Sequence, residues 1–108
     1  MAVYEKYDGH CAYCGRKLAY RDMQVDHIKP QVDGGKDELP NLNPACRQCN
    51  HYKRDNDLEW WRHQIETIPE KLMLRSYIFK VGAAYGFWGA EKRKVKFYFE
   101  AVQEGEAK

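Results

Sequence analysis

Cys11-Ala12-Tyr13-Cys14 opens, and Cys46-Arg47-Gln48-Cys49-Asn50-His51-Tyr52-Lys53 closes, the stretch whose reading decides the fold. Two residues between cysteines let both sulfurs converge on one cation from a tight turn, the spacing that recurs in tetrahedral zinc sites. Two such pairs supply four thiolates, enough to close the coordination sphere and leave no open catalytic position. Gly15 directly after Cys14 gives the permissive backbone such a knuckle turn uses. Thirty-one residues separate the pairs, so a sizeable insert is carried between the knuckles. A redox site would need one C-x-x-C in a βαβ setting, and neither pair has it.

The insert reads as strand, loop, strand or turn, then helix. Met23, Val25 and the backbone around His27 alternate with period 2, and Pro30 stops that strand from running on. Asp33-Gly34-Gly35-Lys36 is a turn signal. Pro40 and Pro44 bracket Asn41-Leu42-Asn43 and keep it extended or turning, with Asn43 read as a turn residue. From about Cys46 the chain lacks breakers and can begin a helix. The expectation is a small α+β fold: a ββα unit pinned at both ends by zinc knuckles, in which Zn2+ contributes directly to folding.

At this point the residues resemble a family. Cys11-x2-Cys14, Val25-Asp26-His27-Ile28-x-Pro30, Gly34-Gly35, Asn41-Leu42 and Cys46-x2-Cys49-Asn50-x2-Lys53 stand in the order of a zinc-knuckle HNH endonuclease domain of the ββα-metal type. The resemblance implies a core at 11–54 within a single nuclease domain, 1–108. It implies that Cys11, Cys14, Cys46 and Cys49 hold a structural zinc. His27 matches the general base that takes a proton from the attacking water, a task suited to imidazole. Asp26 matches a hard oxygen ligand for Mg2+ or another divalent cation, and Asn50 matches the second ligand. Asn41 matches the amide that braces the loop carrying the base. Asp26 and His27 are adjacent, so a strand's end or a bulge is required for both to serve one site.

The last family position is either His or Asn, and both occur here. The register with Cys49 and Lys53 favours Asn50, and His51 then points about 100° around the helix. A different helix start would make His51 the ligand and a softer metal the better fit. The implied activity is hydrolysis of phosphodiester bonds in DNA. The rival readings are a non-catalytic zinc-knuckle module that binds nucleic acid, and a redox protein using the cysteine pairs.

Beyond the motif, residues 57–102 read as an extension. Asp57 to Ile68 carries Leu58, Trp61, Ile65 and Ile68 at helical spacing. A second helix follows Pro69, from Glu70 to about Tyr85, with Leu72, Leu74, Ile78, Val81 and Tyr85 apolar. Val95 to Ala101 alternates as a half-buried terminal strand. The tryptophans and tyrosines are read as core rather than base-stacking platforms. Lys92, Arg93, Lys94 and Lys96, and on the motif helix Arg47, Lys53 and Arg54, are candidates to meet phosphates.

Composition sets the outer bounds. The 108 residues are 44% hydrophobic and 14% aromatic, too rich in large apolar side chains for a disordered segment. Eighteen Lys and Arg against sixteen Asp and Glu leave a net charge of +2, which permits a local basic patch without arguing for one. No apolar run is long enough to span a membrane, and Met1 to His10 lacks a signal-peptide core. A reducing, cytoplasmic setting is expected, with no membrane partner.

Overall fold

The computed structural model describes residues 2–105. Its contacts divide the chain into two compact units, one running to Leu58 and resuming at Lys96, the other Glu59–Val95.

In the first unit a short helix α1 (Ala2–Glu5) leads into the first knuckle. The knuckle is a small loop closed on itself: Cys11 N–H donates to the Arg16 carbonyl at 2.8 Å and Gly15 N–H to the Cys11 carbonyl at 3.0 Å. Gly15 is obligatory there. Its φ is +80°, and a Cβ would stand 2.8 Å from the Tyr98 ring.

Two strands follow, β1 (Gln24–His27) and β2 (Leu42–Ala45), paired antiparallel with Asp26 opposite Asn43 and His27 opposite Leu42. Pro44 is tolerated in β2 because the sheet has only these two strands, and its carbonyl accepts from Ala12 N–H at 2.8 Å. The knuckle is thereby stitched to the sheet. The buried member of β1 is not an apolar residue but Asp26. Asn43 is not in a turn either: it lies within β2 and is wholly buried.

Between the strands the loop passes so close to itself that a Cβ on Gly35 would meet the Lys29 carbonyl oxygen at 1.8 Å. Helix α2 (Arg47–Lys53) then starts directly from β2, with Cys46 as its N-cap: the sulfur accepts from Cys49 N–H at 3.4 Å. The ββα order expected between the knuckles is what forms, and the small α+β class with it.

The expected terminal strand does not. Residues 98–103 are helix α6 (Tyr98–Gln103). Its first N–H groups have a better destination than a strand ladder: Tyr98 N–H donates to the Tyr13 carbonyl and Phe99 N–H to the Ala12 carbonyl, at 3.1 and 2.7 Å. The Glu100 carboxylate adds a cap by accepting from Phe97 N–H at 2.9 Å. Phe97 and Phe99 are buried and meet the Tyr13 ring edge-on, with centroids 5.2 and 5.8 Å away. The alternation at 95–99 therefore records two anchoring aromatics rather than a pleat.

The second unit holds helices α3 (Leu58–Glu66), α4 (Ile68–Arg75) and α5 (Tyr77–Ala84). The single helix expected from Glu70 to Tyr85 is broken at Ser76, whose hydroxyl caps α5 by accepting from Phe79 N–H at 3.1 Å. Trp61 is buried as expected, and Trp88 folds back to stack on Phe79 and donate to its carbonyl at 2.8 Å. Tyr77 and Tyr85, expected in the core, are instead exposed, and so are Trp60, Trp88, Leu72, Leu74, Ile78 and Val81. No helix among the described residues is long and apolar enough to cross a membrane.

Candidate metal centre and active-site cleft

The four cysteines converge. One sulfur from each of Cys11, Cys14, Cys46 and Cys49 lies within 4.8 Å of the others, and Cys14 and Cys46 stand 3.9 Å apart. Sulfurs placed about 2.3 Å from a tetrahedral zinc are about 3.8 Å from one another, whereas a disulfide needs about 2.05 Å. The donor set behaves as one: the Cys11 thiol is drawn down to about 4, chiefly by a hydrogen bond with Cys49, whose own thiol that bond pushes up. A divalent cation relieves this competition for protons by replacing them. The cluster can hold a metal ion, and its geometry is compatible with zinc.

Alongside it, β1 and α2 wall a cleft of about 480 Å³ whose lining includes Asp26, His27, Asn50 and His51. Adjacent strand residues point to opposite faces, and the position of His27 at the end of β1 is what lets both it and Asp26 reach this cleft. Asp26 is only 4% exposed. Its Oδ2 accepts from the Tyr13 hydroxyl, and Lys53 Nζ lies 3.2 Å from Oδ1 and 3.1 Å from Oδ2. Burial pushes the Asp26 carboxyl above its ordinary range, against the opposing pull of Tyr13 and Lys53. Those contacts use three of about four lone-pair sites on the carboxylate, so one on Oδ1 is not taken by them.

Lys53 does not meet phosphates. It is wholly buried, with Nζ also donating to the His27 carbonyl at 3.1 Å, because a carboxylate buried beside it requires a counter-charge. Lys53 and Asn50 are three apart on α2 and share the face towards β1. Asn50 is half-buried and His51 exposed, and both border the cleft.

His27 Nε2 is 3.1 Å from Asp37 Oδ1, a partner on the loop after Gly35. Asn41 spans that same loop: Oδ1 accepts from Lys29 N–H at 2.8 Å, and Nδ2 donates to the Lys29 and Lys36 carbonyls at 3.0 and 2.9 Å. Tyr13 and Asp37 had no signal in the sequence. One lies between two knuckle cysteines and the other in a loop, and only the fold carries them to Asp26 and His27.

The HNH endonuclease family matches residues 11–56. Similar proteins are the CRISPR-associated endonucleases Cas9 of Actinomyces naeslundii, 36% identical over 52 residues, and of Corynebacterium diphtheriae, 33% identical over 52. Each match covers 47% of this chain and 5% of the relative's length. The crystal structure of the Type II-C Cas9 from Actinomyces naeslundii superposes with a TM-score of 0.53 at 24% identity, over 83% of this chain and 11% of that one. The shared fold, the converging cysteines and the matched stretch agree on a domain of the HNH endonuclease type at residues 11–56.

Proposed function

We propose that this protein is a metal-dependent endonuclease that hydrolyses phosphodiester bonds in DNA, with a structural Zn2+ on Cys11, Cys14, Cys46 and Cys49. The observation that carries the reading is the one cleft lined by an imidazole, a carboxylate and an amide, in a chain whose four cysteines converge. Asp26 and Asn50 would hold Mg2+ or a similar divalent ion, which supplies charge neutralisation at the scissile phosphate and at the leaving oxygen.

His27 is the base. With its proton on Nε2 it donates to Asp37, and Nδ1 is left free to take a proton from the attacking water. Asp37 is 74% exposed, so it orients the ring without adding a buried charge. Asn41 fixes the loop between Lys29 and Lys36 and so holds Asp37 opposite His27. Lys53 and Tyr13 fix the carboxylate. The thiols require a reducing setting, and the cytoplasm provides one.

The test is plasmid cleavage by native protein and by His27→Ala, with and without Mg2+. Native protein should cut only with the divalent ion, and the variant should lose roughly 10²–10⁴-fold while keeping its melting temperature. Equal activity in the two proteins overturns the assignment of the base. DNA binding without any cleavage would favour a non-catalytic zinc-knuckle module.

A further inference from the structure

The cleft that holds His27 has a neighbour across α2. A second cleft of about 950 Å³ shares Asn50 and His51 as walls with the first. Arg16, Lys17, Arg21 and Arg47 line it, against one carboxylate, that of Asp22. These four cations come from three separate segments: the knuckle loop, the turn before β1, and the start of α2. All four side chains are exposed. In a chain whose net charge is only +2, a cluster of four cations and one acid is a marked local excess.

We infer that this basic cleft seats the phosphodiester backbone of the DNA strand beside the scissile phosphate. The inference rests on the nuclease reading and adds to it the residues that grip the substrate. Three of the four cations are arginines, whose planar forks match phosphate oxygens in pairs. Their backbones are fixed in advance. Arg16 closes the first knuckle by accepting from Cys11 N–H, and Arg47 directly follows Cys46, the cap of α2. A metal in the cysteine cluster would thus fix the backbones of two of these arginines, leaving only their side chains to be ordered when DNA arrives. The common walls, Asn50 and His51, put the two clefts side by side, so a strand gripped in the basic cleft lies next to the cleft of Asp26 and His27.

The experiment measures binding apart from cutting. In a His27→Ala background without divalent ion, a fluorescent DNA duplex is titrated at several salt concentrations. The first comparison protein adds Arg16→Gln, Arg21→Gln and Arg47→Gln. The second adds Lys92→Gln, Arg93→Gln and Lys94→Gln, the same charge change elsewhere. Arg21→Gln alone serves where the triple change disturbs the knuckles, and zinc content and melting temperature are followed throughout. Each lost phosphate contact lowers the slope of log affinity against log salt by about 0.9, so the cleft triple should lower it by about 3 and Arg21→Gln by about 1. The control triple should change it by less than about 1. A native slope for the folded cleft triple, or for the folded Arg21→Gln protein, would overturn the inference. The nuclease reading fails separately: binding through the cleft with no plasmid cut under any divalent ion leaves the cleft standing and removes the enzyme.

Discussion

Lys53 Nζ reaches both carboxylate oxygens of Asp26, at 3.2 and 3.1 Å, with the lysine wholly buried and the aspartate 4% exposed. An ion pair this deep is not net stabilising merely by existing, since desolvating two charges offsets their attraction. Breaking it is another matter.

Lys53→Met should therefore destabilise the protein by about 3–5 kcal/mol at neutral pH, because it leaves a buried carboxylate with no counter-charge. The pH dependence has a definite sign. Burial already holds the Asp26 carboxyl above its ordinary pKa, and losing Lys53 raises it further. A folded-state pKa above the unfolded one means the folded form takes up the extra proton, so stability is kept in acid and lost as pH rises through the folded value. Urea melts of native and variant protein should differ most near pH 7 and converge as pH falls through the raised Asp26 pKa. A gap that is constant with pH would remove the Asp26 carboxylate as its cause.

Tyr13→Phe probes the other donor. Burial and the neighbouring Asp26 charge push the phenol up, so it remains a donor at any working pH. The phenylalanine ring keeps the packing against Phe97 and Phe99, so the chief loss is the hydrogen bond to the charged Asp26 acceptor, about 1.5–3 kcal/mol. Zinc content should not change. The divalent concentration for half-maximal cleavage should rise, since Asp26 is held by one partner fewer. An unchanged metal titration would mean that Lys53 alone positions the carboxylate.

Spacing made the cysteine cluster and the ββα order legible, because two C-x2-C pairs and a few breakers constrain the chain locally. The partners of the site were not legible. Lys53 reads as a surface cation, since lysines are seldom wholly buried, and only the buried Asp26 explains it. Tyr13 reads as a spacer between two ligands. The C-terminal segment failed for a related reason: alternation at Val95, Phe97 and Phe99 fits a strand, but the carbonyls of Ala12 and Tyr13 recruit the first N–H groups of a helix. Period-2 patterning over five residues cannot report a tertiary acceptor supplied by residues some eighty-five positions away.

Cys46→Ser should unfold the first unit rather than disable it. Cys46 has two roles, as one of four converging sulfurs and as the N-cap of α2. Serine can still cap a helix, so the damage should come from the metal. Circular dichroism should show lost helix, and a chelator that strips zinc from native protein should reproduce the change. Retention of the native spectrum and melting temperature after zinc removal would refute a structural metal.

Asn50 and His51 are separated by metal titration, since both border the cleft and geometry alone leaves each in reach of it. Asn50 lies on the same face of α2 as Lys53, which grips Asp26, whereas His51 points about 100° away and is exposed. Asn50→Ala should accordingly raise the Mg2+ concentration for half-maximal cleavage. Asn50→Asp should keep or shift metal use, because a carboxylate is also a hard oxygen donor. His51→Ala should leave the Mg2+ titration alone and act on DNA affinity, through the wall it contributes to the basic cleft. Both variants are compared at one ionic strength, since affinity for DNA moves with salt. Were the defect to appear in His51→Ala instead, with native enzyme preferring Mn2+, Co2+ or Ni2+ over Mg2+, imidazole would be the ligand and Asn50 a wall of the cleft.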